Sequence, residues 1–266
     1  MLTLAFDTTS EKGGVGIFRD AECLVSVPNE GPANRYSITL FEMVEQALAR
    51  TRMELREIDQ YTAANGPGSF TGIRVGLAAA RAWGKAFDRR VRGVSVLEAM
   101  VNKVRLTSDL AFPLLDARRG EFFVGSFRKT TPEARAVTDV APGFSPAHAA
   151  LKDGATPSET GAATGLDYEP ADGGWVLKPE SLRGFVEERI ASGTSATCLV
   201  RAHDQAAADL RASLPTSLQW QTVEGTLVES IAEIAWKEEL ASCPSSAANL
   251  DAYYIRRPDA EVNWKD

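Results

Sequence analysis

Asn65-Gly66-Pro67-Gly68-Ser69-Phe70-Thr71-Gly72-Ile73-Arg74 joins a short apolar run, Tyr61 to Ala64, to a long apolar segment that reads as a helix. Two glycines around a proline make a tight turn with bare backbone. Ser69 or Thr71 is placed to cap the helix by accepting from its free N–H groups. A strand–turn–helix corner of this kind offers N–H donors and a positive dipole end, which suit an anion or another chain's backbone. No Gly-Lys-Ser/Thr follows, so this is not a P-loop. Two glycines alone would mean an ordinary strand-to-helix turn, but the ten-residue string is more specific than that. Its candidate residues are Gly66, Pro67, Gly68, Ser69, Thr71, Gly72 and Arg74.

The helix that follows, 70–87, has one narrow polar stripe of Arg74, Arg81 and Lys85. Gly72, Gly76, Ala80 and Gly84 recur every four residues and would let another helix come close. Interior glycine costs roughly 1 kcal/mol relative to alanine, so close packing is the expected compensation. Upstream, 34–50 reads as a second helix whose apolar residues cover about half its circumference. One core contact needs an arc of only about 100°. The excess predicts a second buried surface, with Ile38, Phe41, Val44 and Leu48 meeting another chain beside Ile73, Gly76, Leu77 and Ala80. The competing reading makes 70–87 a central core helix within one lobe.

Leu2 to Phe6, Val15 to Phe18 and Leu24 to Val27 read as three strands, the last two joined by a hairpin turn near Arg19-Asp20. Val91 to Val94 is a further strand and Val96 to Val104 a helix. Three strands followed by alternating helix and strand is the layout of an actin/Hsp70/sugar-kinase (ASKHA) lobe, an α/β fold with mixed sheets flanked by helices. Residues 1–105 form that N-terminal lobe, 106–220 a second lobe of related layout, and 241–266 a tail. In the second lobe Ala111 to Asp116, Phe122 to Phe127 and Thr197 to Val200 read as strands, and Leu182 to Ile190 and Gln205 to Leu214 as helices. A helix over 223–240 returns to the first lobe. Residues 129–180 read as loops with a few short strands.

Hydrophobic content of 44% allows a sizeable core and excludes global disorder. Net charge is −7, with 36 acids against 29 bases. A protein that held nucleic acid alone would show a basic stripe, so any such work needs a partner to supply positive surface. Cys23, Cys198 and Cys243 lie far apart in no metal spacing, as expected of reduced cytoplasmic thiols. The opening Met1-Leu2-Thr3-Leu4-Ala5-Phe6 lacks a basic n-region and runs into Asp7, so it reads as a strand rather than a signal peptide. No apolar run reaches membrane-spanning length.

Asp7-Thr8-Thr9-Ser10 closes the first strand and Gly13-Gly14 opens the second. In actin-like ATPases this corner, here Asp7, Thr8, Thr9 and Gly13, holds phosphate and metal. Such folds carry a glycine two residues after the aspartate, and here that place is Thr9, whose β-branch resists left-handed backbone. The structural alternative is a satisfied strand-end aspartate in a hairpin. The expectation is weak ATP binding or none by the isolated chain. The two histidines, His148 and His203, have no histidine partner at helical spacing, so no catalytic metal is expected. Asp116-Ala117-Arg118 reads as an ion-pair corner at a strand end.

With these residues in view the chain resembles the TsaB (YeaZ) family, within the TsaD/Kae1/YgjD-like glycoprotease (M22) superfamily. The resemblance rests on Leu4 to Ser10, on Gly66 to Gly76, and on Val94-Ser95-Val96-Leu97. It extends to Asp116-Ala117-Arg118-Arg119-Gly120-Glu121 and to a tail carrying Tyr254-Ile255-Arg256 and Trp264-Lys265. It implies an ASKHA fold and a non-catalytic subunit that pairs with a TsaD-type catalytic subunit and a TsaE-type ATPase. That complex transfers threonylcarbamoyl to N6 of adenosine 37 in tRNA. It further implies tRNA contact only through the complex, no tightly bound cofactor, ATP only at a complex interface, and a homodimer when isolated. The catalytic relatives bind metal through a His-x-x-x-His pair. The matching helix here reads Asn34-Arg35-Tyr36-Ser37-Ile38-Thr39-Leu40, with Tyr36 where TsaB relatives often keep a histidine. Nothing in the sequence supports the old peptidase label. The alternative from another class is an ASKHA kinase or hydrolase using Asp7.

Overall fold

Leu2–Asp7 (β1) is an apolar run with five of its six residues buried, as suits a strand covered on both faces. In the computed structural model, which describes residues 1–31, 35–130, 167–190, 193–240, 250 and 252, it is the centre of a five-stranded sheet. Gly14–Arg19 (β2) pairs antiparallel with β1, and Glu22–Pro28 (β3) pairs antiparallel with β2. On the other side Gln60–Gly66 (β4) and Arg90–Ser95 (β5) add in parallel, giving the order β3-β2-β1-β4-β5.

Parallel strands need crossovers, and helices supply them. Tyr36–Thr51 (α1) buries Tyr36, Leu40, Met43, Val44 and Ala47, one stripe at helical spacing. Phe70–Phe87 (α2) starts on Ser69, whose Oγ accepts from Gly72 N–H at 3.2 Å, and ends at Asp88 in the left-handed region. Ser69 therefore caps the helix, while Thr71 points to solvent. Val96–Lys103 (α3) follows β5 directly.

The second sheet repeats the first strand for strand. Leu110–Asp116 (β6), Phe122–Lys129 (β7) and Tyr168–Leu177 (β8) run antiparallel. Ala196–Arg201 (β9) and Gln219–Val223 (β10) add in parallel, so β8-β7-β6-β9-β10 mirrors β3-β2-β1-β4-β5. The duplicated layout is that of the ASKHA fold. Pro179–Arg189 (α4) and the short Gln205–Asp209 (α5) cover the outer face of this sheet, with α1 and α2 outside the first. Between the sheets lie α3 and Val228–Leu240 (α6), in a core that joins Ala5, Ala64 and Val94 of one sheet to Ala111, Phe127 and Leu199 of the other. The chain thus crosses from sheet two back to sheet one for its last described helix, and α6 packs on β1, β2, β4 and β5.

Three expectations are corrected. Where loops and short strands were read in 129–180, the described part holds β8, a ten-residue strand paired along β7; residues 131–166 lie outside the described set. The helix read over 223–240 begins only at Val228. Val223 closes β10, and Gly225 turns the chain at φ 67°. Gln205 to Leu214 is α-helical only to Asp209 and continues as a turn of 3₁₀ helix, Leu210–Ala212. The tail motifs at Tyr254 to Arg256 and Trp264-Lys265, and His148 and Cys243, fall outside the described residues.

Candidate functional site

Asp7 is fully buried at the end of β1. Its Oδ1 accepts from the Thr9 N–H at 2.8 Å and from the Thr9 hydroxyl at 2.6 Å. Thr9 thus does more than lack the room a glycine would give: its side chain closes one oxygen of the aspartate. Thr8 Oγ1 donates to the Gly72 carbonyl at 2.7 Å, and Ser69 N–H donates to the Thr9 carbonyl at 2.7 Å. A Cβ on Gly72 would stand 1.9 Å from the Thr8 carbonyl oxygen. The glycines after Pro67 therefore make a socket for the chain's own corner at Asp7 to Thr9. At the start of α2, expected to suit an anion or another chain's backbone, the Ser69 N–H meets the Thr9 carbonyl.

The other wall of the corner comes from Tyr36, the first residue of α1. It is buried, and its hydroxyl donates to the Ser10 carbonyl at 2.7 Å. A Cβ on Gly13 would lie 2.0 Å from the Asp7 carbonyl oxygen and 2.3 Å from the Tyr36 hydroxyl, so only glycine fits this turn. Burial, reinforced by the Asp7 carboxylate, raises the Tyr36 phenol above its ordinary 10 and keeps it a donor. Arg201, at the end of β9, reaches this place from the second lobe. It is buried, with Nη2 donating to the Gly225 carbonyl at 2.7 Å. Burial lowers its pKa, while Asp7, Glu224 and Tyr36 act to raise it. Burial, then Arg201, hold the neighbouring His203 below its ordinary 6.5. Arg201 was not singled out from sequence; its one signal is a charge abutting the apolar run Thr197 to Val200. Asp7 Oδ2, Ser10 Oγ and Arg201 Nε are buried there without a hydrogen-bond partner.

The second sheet ends on a matching corner. Asp204 caps α5 by accepting from Ala207 N–H at 2.9 Å, and its other oxygen accepts from Asp116 N–H at 2.7 Å. Asp116 Oδ1 in turn accepts from Arg118 N–H at 2.7 Å. The ion pair expected from Asp116-Ala117-Arg118 is present at 3.6 Å on the surface. The turn itself is unusual, with Arg118 at φ 66° and Arg119 at φ 59°. Left-handed backbone costs an L residue roughly 1–2 kcal/mol.

The outer face of α1 and α2 is the other candidate. Ile38 is 51% exposed and Phe41 48%, with Phe70 and Phe87 also exposed. Phe41 stands edge-on to Trp83 at 5.9 Å, and Trp83 in turn meets Phe6 edge-on and Tyr61 at a tilt. Arg74 lies 3.8 Å over the Phe70 ring. The remaining residues expected at an interchain contact lie inward. Val44, Ile73, Gly76, Leu77 and Ala80 are buried in the lobe's own core, and Leu48 is partly buried against it. Gly76 makes its close approach to Thr8 Oγ1, 2.5 Å from where a Cβ would be, and not to another helix. For these residues the central-core reading is the one observed.

Among the described residues no three His, Cys, Asp or Glu side chains gather as a metal site requires, and no helix is long and apolar enough to cross a membrane. The family model for TsaD, tRNA N6-adenosine threonylcarbamoyltransferase, matches residues 27–159, half of the chain. The chain belongs to this family. It is 28% identical over 128 residues to the tRNA threonylcarbamoyladenosine biosynthesis protein TsaB of Bacillus subtilis, covering 48% of this chain and 56% of that one. To a Mycobacterium leprae protein of uncharacterized function it is 35% identical over 165 residues, covering 56% of this chain and 45% of the other. The chain therefore spans about half the length of these curated relatives. YeaZ from Pseudomonas aeruginosa superposes with a TM-score of 0.66 over 96% of this chain and 100% of its own, at 17% identity, which establishes a shared fold.

Proposed function

We propose that this chain is a non-catalytic subunit of a complex that transfers threonylcarbamoyl to N6 of adenosine 37 in tRNA, docking on a TsaD-type catalytic subunit through α1 and α2. The observation that carries this is the apolar face of Ile38 and Phe41, open on the surface and backed by Trp83. Glu42 and Glu45 are exposed on α1, and Arg74, Arg81 and Lys85 are exposed on α2. A twofold or pseudo-twofold pairing that crosses the helix pairs sets the acidic side chains of α1 against the basic ones of α2 on its mate. The same face therefore serves a homodimer of the isolated chain and a heterodimer with a partner of like fold. The subunit works in the cytoplasm, a TsaE-type ATPase joins the complex, and ATP enters at a complex interface rather than at the Asp7 corner. The packing of Thr8 and Thr9 against Gly68 and Gly72 supports that placement, as a Cβ at either glycine would meet the Thr8 or Thr9 main chain and the Ser69 N–H is taken by the Thr9 carbonyl. The net charge of −7 supports leaving most of the tRNA grip to the partner.

The test is reconstitution. Chain, TsaD-type subunit, TsaE-type subunit, threonylcarbamoyl-adenylate and unmodified tRNA are combined, and modified adenosine is measured. Modification that requires this chain, and fails with a folded Phe41→Glu variant, is the expected result. Modification at full rate without the chain, or ATP turnover by the chain alone that Asp7→Ala abolishes, would overturn the reading in favour of a kinase or hydrolase.

A further inference from the structure

The turn between β6 and β7 has no part in the docking face or in the Asp7 corner. Arg118, Arg119 and Gly120 lie in succession at φ 66°, 59° and 73°, one turn of left-handed backbone in which two of three residues are arginine. Glycine or asparagine would sit there with less strain. The turn is held firmly all the same. Ala117 N–H donates to the Glu121 carbonyl at 2.9 Å and Glu121 N–H to the Arg118 carbonyl at 3.1 Å. Asp116 holds Arg118 N–H, and Asp204 holds Asp116, so the anchor runs back to the start of α5.

Both arginines are exposed, Arg118 at 86%. Its ion pair with Asp116, at 3.6 Å in water, is of a kind that contributes little and yields readily. Gly120 has nothing within 4 Å of where a Cβ would be, so the backbone is bare on that side. The strand ends place the turn. β6 and β9 run parallel, and Arg201 at the end of β9 lies by Asp7 at the end of β1. The turn therefore stands on the rim where the two sheets' carboxyl ends meet.

We propose that Arg118 and Arg119 grip phosphate groups of the tRNA backbone within the assembled complex. This rests on the function proposed above and names a contact that the acidic chain makes itself. A guanidinium matches phosphate with paired N–H donors, which a compact ammonium cannot do. A rigid turn holds two such groups at fixed spacing, with less ordering left to pay on binding than a flexible loop would have. The strain at these two positions is then offset by what the side chains touch in the complex.

The test uses the complex with a TsaD-type subunit and an unmodified tRNA transcript, with affinity measured over a range of salt. Two double variants are compared, Arg118→Gly with Arg119→Gly, and Arg118→Gln with Arg119→Gln. The first relieves the strain and the second keeps it. Both are expected to weaken tRNA binding about 3- to 10-fold near 0.1 M salt and to flatten the log–log salt slope by about one per arginine. The glycine pair should melt no lower than the wild type. Unchanged affinity and slope in both variants, with wild-type complex that binds tRNA, would overturn this inference alone. A loss of partner binding instead of tRNA binding would make the turn a protein contact and overturn it as well. A wild-type complex that neither assembles nor binds tRNA would overturn the proposed function, and this contact with it.

Discussion

Ser69 N–H donates to the carbonyl of Thr9 at 2.7 Å, so the residue that caps α2 also fastens the corner after β1. The glycine-rich motif and the opening strand, far apart in sequence, form one joint.

That joint has no slack. Gly72→Ala would put a methyl carbon 1.9 Å from the Thr8 carbonyl oxygen, and both are main-chain atoms that cannot step aside cheaply. The expected cost is about 1–3 kcal/mol of stability, read as a lower urea midpoint at unchanged slope. An unchanged midpoint would mean the joint opens freely.

Phe41→Glu tests the outer face. Phe41 is half exposed, so the variant should fold with a near-native melting temperature. Self-association and binding to a TsaD-type subunit should each fall at least 10-fold, as for a charge forced into an apolar contact. Gly76→Leu separates the two roles: Gly76 abuts Thr8 within the chain, so this change should lower stability first. Light scattering beside thermal melts reads both; wild-type association by folded Phe41→Glu would move the interface elsewhere.

At the Asp7 corner, the isolated chain should bind ATP with a dissociation constant weaker than about 1 μM, roughly −8 kcal/mol. Titration calorimetry that gave tighter binding would contradict the closed socket. Asp7→Ala strands the Thr9 N–H and hydroxyl, both now bonded to Oδ1, and should cost about 1–3 kcal/mol. Partner affinity should stay within twofold.

Glu98, in the first turn of α3, sets a pH dependence. Burial, and secondarily Glu238, raise its pKa above the ordinary 4.5. Glu238 is itself raised by burial, against the opposing pull of Arg92 at 2.7 Å. With the folded value raised, the native state keeps protons that the unfolded chain has lost. Stability therefore declines as pH climbs from about 4.5 toward the folded value. Glu98→Gln should flatten that decline and melt higher than wild type at neutral pH. A steeper decline would reverse the assignment.

Much of this architecture was legible because its signals are local. The run Phe70 to Phe87 has helical composition and its own cap, and β1 to β3 alternate with clear turns. Val223 was harder: it is apolar and next to a helix, and only pairing with Arg201 makes it a strand end. The long strand β8 was hidden because Pro170, Gly173 and Gly174 carry no strand propensity, and β7 imposes the conformation. At the site, Asp7 and the glycine motif stood out by residue type. Their mutual contact did not, because nothing in sequence says that two chain segments share one cavity. Apolar periodicity on α1 and α2 correctly marked burial but could not say which part of the wide arc faces inward. Val44, Ile73 and Leu77 face the lobe's own core, leaving Ile38 and Phe41 outside.

The placement of α6 has a consequence for synthesis on the ribosome. Ala5, Ala64 and Val94 of the first sheet lie under a helix that begins only at Val228. While the chain is being made, α3 can cover part of that inner face at β4 and β5, but the part over β1 and β2 stays bare until nearly all of the second half has emerged. The first-made half therefore waits longest for its cover, and a chain stalled before Val228 exposes an apolar sheet surface of the sort that chaperones retain and proteases clear.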